Sequence, residues 1–116
     1  MTNTSRDSSY LKNCNISAAF MSYGMYIQTE TGTTADASEL GVKDIKVQIK
    51  NGIFWNTIAT SGGGSVTNDH TFCGSCDCTN AVSGETYRIK CTHYAYIGGN
   101  YYHYDNTTDG FKYVKP

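Results

Sequence analysis

The sequence is poor in charged residues. Asp, Glu, Lys and Arg make up 16% of its 116 residues, the net charge is -1, and neither sign forms a block. A chain without a basic patch lacks the electrostatic footprint that attracts nucleic acid or an acidic membrane surface. We therefore expect no nucleic-acid partner.

The sequence also lacks long apolar runs. No stretch approaches the roughly 18 apolar residues of a membrane-spanning helix, so we expect a soluble chain without a membrane span. The first residues, MTNTSRDSSYLKN, contain no apolar segment of the signal-peptide kind. Five cysteines in so small a domain are nevertheless more than a cytosolic β-protein usually carries. The interpretation is an extracellular or cell-surface protein whose signal peptide has been removed.

The residues that are abundant favour strands. Ten tyrosines and twelve glycines, with the only proline at position 116, suit β-strands joined by tight turns. A chain of this length forms one domain with one core. Residues 1–12 are polar and aperiodic, which predicts a disordered N-terminal arm, and residues 13–116 are expected to form the domain.

Alternation of apolar and polar residues marks two strands clearly. In DIKVQIK (residues 44–50) every second residue is apolar, and the Asn51-Gly52 pair that follows predicts a two-residue hairpin turn. In ETYRIKCTHYAYI (residues 85–97) the inward face is expected to carry every second residue from Tyr87 to Ala95.

Two other stretches predict irregular structure. TETGTTADASELG (residues 29–41) is typical of a loop, and CGSCDCTNAVSG (residues 73–84) of an irregular cysteine-rich connection. Gly24 is expected to separate two further extended segments or to kink one long strand. Seven or eight short strands with no helical period predict an all-β antiparallel sandwich, with a small barrel as the alternative.

The stretch AYIGGNYYHY (residues 95–104) is unusually aromatic. A two-residue turn at Gly98-Gly99 pairs strand residues so that four rings share the outer, charged face with Arg88 and Lys90. We call these four the tyrosine ladder: Tyr94, Tyr96, Tyr101 and His103. A three-residue turn would instead gather Tyr94, Tyr96, Tyr102 and Tyr104.

The tyrosine ladder has two interpretations. Cross-strand aromatic pairs stabilise a twisted ribbon by about 0.2 to 1 kcal/mol each, which needs no ligand. Adjacent rigid rings with flanking cations also form a platform for a carbohydrate or a protein partner, since they supply contact area at low entropic cost. Under the second interpretation the ladder is the ligand-binding site.

The cysteines also allow alternatives. Cys14 and Cys91 both fall on inward faces, so they are candidates for a disulfide between strands or for two buried free thiols. A local disulfide with one spare thiol is expected among Cys73, Cys76 and Cys78. The odd number leaves one thiol that can pair between chains, and the oligomeric state stays open. The alternative is a zinc or redox site, whose ligands would be His70, Cys73, Cys76 and Cys78.

No catalytic residues are predicted. Cys91 and His93 lie on one strand face, but residues two apart in a regular strand are too distant for a direct hydrogen bond. No paired carboxylates of the glycosidase kind are recognisable.

Three segments together carry a family resemblance: ISAAFMSYGMY, IKVQIKNGIFWNTIAT and SGETYRIKCTHYAYIGG. They resemble small exported proteins of Gram-positive bacteria, a domain of unknown function. The resemblance spans roughly residues 14–105 and implies an immunoglobulin-like β-sandwich, without supplying catalytic residues. The expected function is a non-enzymatic interaction module, and the cofactor expectation is none, with zinc as the alternative.

Overall fold

The computed structural model describes residues 9–116. This part of the chain is all-β, as predicted, and contains no helix, so it has none that could cross a membrane. Its seven strands pair antiparallel in one sheet. They are β1 (Leu11–Met21), β2 (Gly24–Asn51), β3 (Phe54–Ser61), β4 (Gly64–Cys78), β5 (Thr86–Ile97), β6 (Asn100–Thr107) and β7 (Phe111–Lys112).

Strand β2 organises the sheet because it pairs with four other strands. Its first third lies between β1 and β4, its middle between β4 and β5, and its last third between β5 and β3. Register shifts between Gly32 and Ala37 and between Lys43 and Lys46 separate these parts. At the second shift Asp44 has a φ of 55°. Such irregularities bend a strand and change which residues face the core.

The bends curl the sheet until β1 lies against β6. Asn106 Nδ2 on β6 donates a hydrogen bond of 3.2 Å to the carbonyl oxygen of Cys14 on β1. The concave side holds one core. Its large buried apolar side chains include Met25, Ile27, Leu40, Val42, Val47, Tyr87, Ile89 and Tyr113.

The two segments predicted to be irregular are largely strand. Residues 29–41 lie inside β2, and residues 73–78 end β4. Their Gly, Ala and Asp content disfavours strands locally. Neighbouring strands override this preference: β1, β4 and β5 supply hydrogen-bond partners for the segment in β2, and β2 supplies them for the segment in β4. Thr31 and Thr33 point into the core accordingly.

The N-terminal boundary also differs from the prediction. β1 begins at Leu11, whose side chain is buried in the core, two residues before the predicted start of the domain. The rest of the predicted arm, residues 1–8, lies outside the described residues.

The two predicted hairpins are present, with one correction. Gly98 and Gly99 form the two-residue turn, with φ values of 60° and 81°, and Ile97 pairs with Asn100 as predicted. In the β2–β3 hairpin, Asn51 is the last strand residue and pairs with Phe54, so the turn lies one residue later than predicted. Gly52, with a φ of 65°, occupies its first position, where glycine is favoured because other residues resist positive φ.

Candidate functional site

The β5–β6 hairpin brings the tyrosine ladder together on one face. Tyr96 pairs with Tyr101, and Tyr94 pairs with His103. The ring of Tyr101 is central: its centroid lies 5.1 Å from Tyr96, 6.1 Å from Tyr94 and 5.4 Å from His103. These separations are those of favourable aromatic pairs. The predicted two-residue register therefore produces one continuous aromatic cluster.

The ladder is only partly outside the core. Tyr96 and Tyr101 are 40% and 37% exposed, whereas Tyr94 is only 9% exposed. Tyr94 is covered because its hydroxyl donates a 2.5 Å hydrogen bond to Glu39 and Lys43 lies over its ring. Burial, followed by this hydrogen bond, raises the pKa of Tyr94. The expectation that all four rings face outward thus fails for Tyr94, which forms the base of the cluster.

Two charged residues of β2 border the rings. The Lys43 ammonium lies 4.9 Å from the centroid of Tyr101, a cation–π arrangement, and its pKa is raised first by a hydrogen bond with Tyr101. Glu39 accepts from Tyr94. Sequence reasoning missed both residues, because Glu39 lay in a predicted loop and no local pattern places β2 beside this hairpin. Arg88, expected to flank the ladder, instead stacks over Trp55 and donates to Gln48.

A second cluster lies in the core around His93, whose side chain is fully buried. Thr31 Oγ1 donates to the carbonyl oxygen of Gly41 at 3.0 Å, so at its 2.8 Å contact with His93 it accepts from Nδ1–H. Nε2 then accepts, and Asn106 Nδ2 donates to it at 3.1 Å. Every polar atom of the imidazole therefore has a partner in its neutral form.

The same geometry corrects the statement that Cys91 and His93 cannot touch. Cys91 Sγ lies 3.5 Å from His93 Nε2, because β5 is curled rather than flat and the two side chains converge on its concave face. Burial raises the pKa of Cys91 to about 12 and lowers that of His93 to about 4. The pair is therefore neutral thiol and neutral imidazole, the opposite of the thiolate and imidazolium that a cysteine nucleophile needs.

All five cysteines are free thiols in the structure, so the predicted disulfides are absent from it. Cys14 Sγ points to the carbonyl oxygen of Lys12, while Cys91 points to His93. Within β4, Cys73 and Cys76 are three residues apart in an extended strand, which separates their Cα atoms by about 10 Å, beyond the reach of a disulfide.

The same strand separates the proposed zinc ligands. Cys76 and Cys78 lie on the face of β4 that packs on the core, whereas Cys73 lies on the exposed opposite face. His70 contacts Asp36 and Asp69 instead. Between residues 9 and 116 no three His, Cys, Asp or Glu side chains converge as metal ligands. The zinc alternative stays a prediction, and native mass spectrometry of the purified protein tests it.

The burial of the thiols predicts their reactivity. With iodoacetamide at pH 8, we expect fast alkylation of the exposed Cys73 alone, because the thiolate is the reactive form and burial raises the pKa of the other four thiols. Peptide mass mapping over time measures this. A Cys73→Ser variant should show no fast modification until the protein unfolds. Equal rates at several cysteines, or an oxidised pair resistant to alkylation, would contradict the free-thiol arrangement.

Comparison of this chain with protein-family models, with curated proteins and with solved structures gave no match. The interpretation of the ladder therefore depends on its own geometry.

Proposed function

We propose that this protein is a non-enzymatic exported or cell-surface interaction module that binds a carbohydrate or a protein through the tyrosine ladder. The observation that carries the proposal is the contiguous cluster of Tyr94, Tyr101 and their two neighbours, with two of its rings more than one-third exposed. A cross-strand aromatic pair that only stabilised the hairpin would need two rings in contact, and not a third and a fourth.

The border of the cluster supports the same proposal. Lys43 offers N–H donors and Glu39 offers acceptors beside an apolar ring surface. Sugars and peptide segments present both apolar faces and hydroxyl or amide groups, so they match this combination. The buried Tyr94 anchors the base of the platform, and Tyr96 and Tyr101 supply its contact surface.

The immunoglobulin-like sandwich and the relationship to exported Gram-positive proteins are part of the proposal. The curling that brings β1 against β6 supports an approach of two half-sheets across one core.

The test is binding to glycan and peptide arrays by the protein and by a Tyr96→Ala/Tyr101→Ala variant. We expect ligands of the unaltered protein to bind the variant about 5- to 150-fold more weakly, because the two lost rings together remove about 1 to 3 kcal/mol. Tyr23→Ala is the control, since Tyr23 is 45% exposed and is not part of the ladder. Equal binding by the double variant, or no ligand for the unaltered protein, would count against the proposal.

A further inference from the structure

A cleft of about 140 Å³ opens where β2 meets the joined ends of β3 and β4, and it shares no residue with the tyrosine ladder. Its lining carries no charged side chain. The residues that matter for its chemistry are Thr29, Val42, Ile45, Gly64, Phe72 and Gly74.

Thr29 is the unusual member of this lining. Its side chain is 4% exposed, and among residues 9–116 its hydroxyl has no hydrogen-bond partner. Buried hydroxyls almost always have a partner, since losing water without compensation destabilises the fold. The neighbouring inward threonine, Thr31, does have its partners in Gly41 and His93. The unsatisfied hydroxyl of Thr29 therefore needs a partner from outside the described chain.

Two glycines of the lining, Gly64 and Gly74, shape the cleft near the Thr29 hydroxyl. Thr29 pairs directly with Gly74 across the β2–β4 ladder. A Cβ atom at Gly74 would lie 3.5 Å from Thr29 Oγ1 and 2.7 Å from Phe72 Cζ, and one at Gly64 would lie 3.3 Å from Phe72 Cζ. Glycine at 64 and 74 thus makes room for the tip of the Phe72 ring, which lies beside the Thr29 hydroxyl at the wall of the cleft. Glycine inside a strand weakens the strand and often marks a close approach.

We propose that this cleft binds a small uncharged molecule with one flat ring and one hydroxyl or carbonyl group, of about the size of phenol. An apolar cavity of about 150 Å³ is large enough for benzene, so the volume suits one ring. The ring packs against Phe72, Val42 and Ile45, and the polar group pairs with Thr29. An ionised ligand is disfavoured because no charged group in the lining would compensate its desolvation.

The test is an NMR titration of the protein with phenol and, separately, with toluene, which has a similar size but no hydroxyl. Phenol should give saturable shifts at Thr29, Phe72 and Gly74. In Thr29→Val, which keeps the shape of the side chain, phenol should bind about fivefold more weakly while toluene binding is unchanged. Gly74→Ala should abolish the binding of both phenol and toluene. Gly62→Ala is its control, because a Cβ there meets nothing within 4 Å.

Two results would overturn the proposal. One is that Thr29→Val weakens the binding of phenol and toluene equally, or weakens neither. The other is the lack of saturable shifts at Phe72 in the unaltered protein, which would assign the space to water alone. Because Thr29→Val preserves volume and strand preference, the comparison holds even if Gly74→Ala does not fold. Neither result depends on ligand binding by the tyrosine ladder.

Discussion

A His93→Ala variant should be less stable than the unaltered protein by about 4 kcal/mol. The substitution opens a cavity in a fully buried place and removes the hydrogen-bond partners of Thr31, Asn106 and Cys91 at once. Large-to-small core changes cost about 2 to 5 kcal/mol, and each buried polar group left unpaired adds about 1 to 3 kcal/mol. Since Asn106 also holds Cys14 on β1, the contact between β1 and β6 should loosen as well.

Urea unfolding followed by fluorescence measures this change. His70→Ala is the matched control, because the His70 side chain is 62% exposed, and its effect should stay below about 0.5 kcal/mol. A His93→Ala variant within about 1 kcal/mol of the unaltered protein would mean that the buried network contributes little to stability.

The second large effect is a loss of stability in acid. Burial lowers the pKa of His93 from 6.5 to about 4 in the folded protein, so between these values the unfolded chain binds a proton that the folded chain does not. Protonation then favours unfolding. The stabilising contribution is complete above pH 6.5 and is lost as the pH falls to about 4, a change of about 3 kcal/mol. The cause is visible in the network, where a protonated Nε2 would face the donors of Asn106 and Cys91.

The measurement is the free energy of unfolding at pH 7, 6, 5 and 4.5 for the unaltered protein and for His93→Gln, which cannot titrate in this range. The difference in the free energy of unfolding between the unaltered protein and His93→Gln should shrink as the pH falls. A constant difference between the unaltered protein and His93→Gln would show that His93 does not govern acid stability.

Features with local causes could be predicted from the sequence. The pairing of Tyr96 with Tyr101 follows from two glycines that accept positive φ, and this pairing decides which rings share a face. The inward face of β5 follows from simple alternation, and Tyr87 and Ile89 are indeed fully buried. The β2–β3 hairpin was placed to within one residue, since Gly52 took the first turn position instead of the second.

Features that depend on residues far apart in the sequence could not be predicted from it. Thr31 and His93 are 62 residues apart, and only the curl of the sheet joins them. Glu39 and Lys43 reach the ladder because β2 continues as a strand through a segment whose composition suggests a loop. Local propensity is weak information where strands on both sides determine the conformation.

The length of β2 has a consequence for how the protein unfolds. Over most of its length β2 has partners along both edges, so most of it cannot separate from the sheet without losing pairs to two strands. Its amide hydrogens should therefore exchange with solvent slowest, through global rather than local opening. Most of its pairs also join residues distant in sequence, which is typical of slow folding. Because β2 completes its pairs only when distant parts of the chain have come together, we expect the protein to fold slowly.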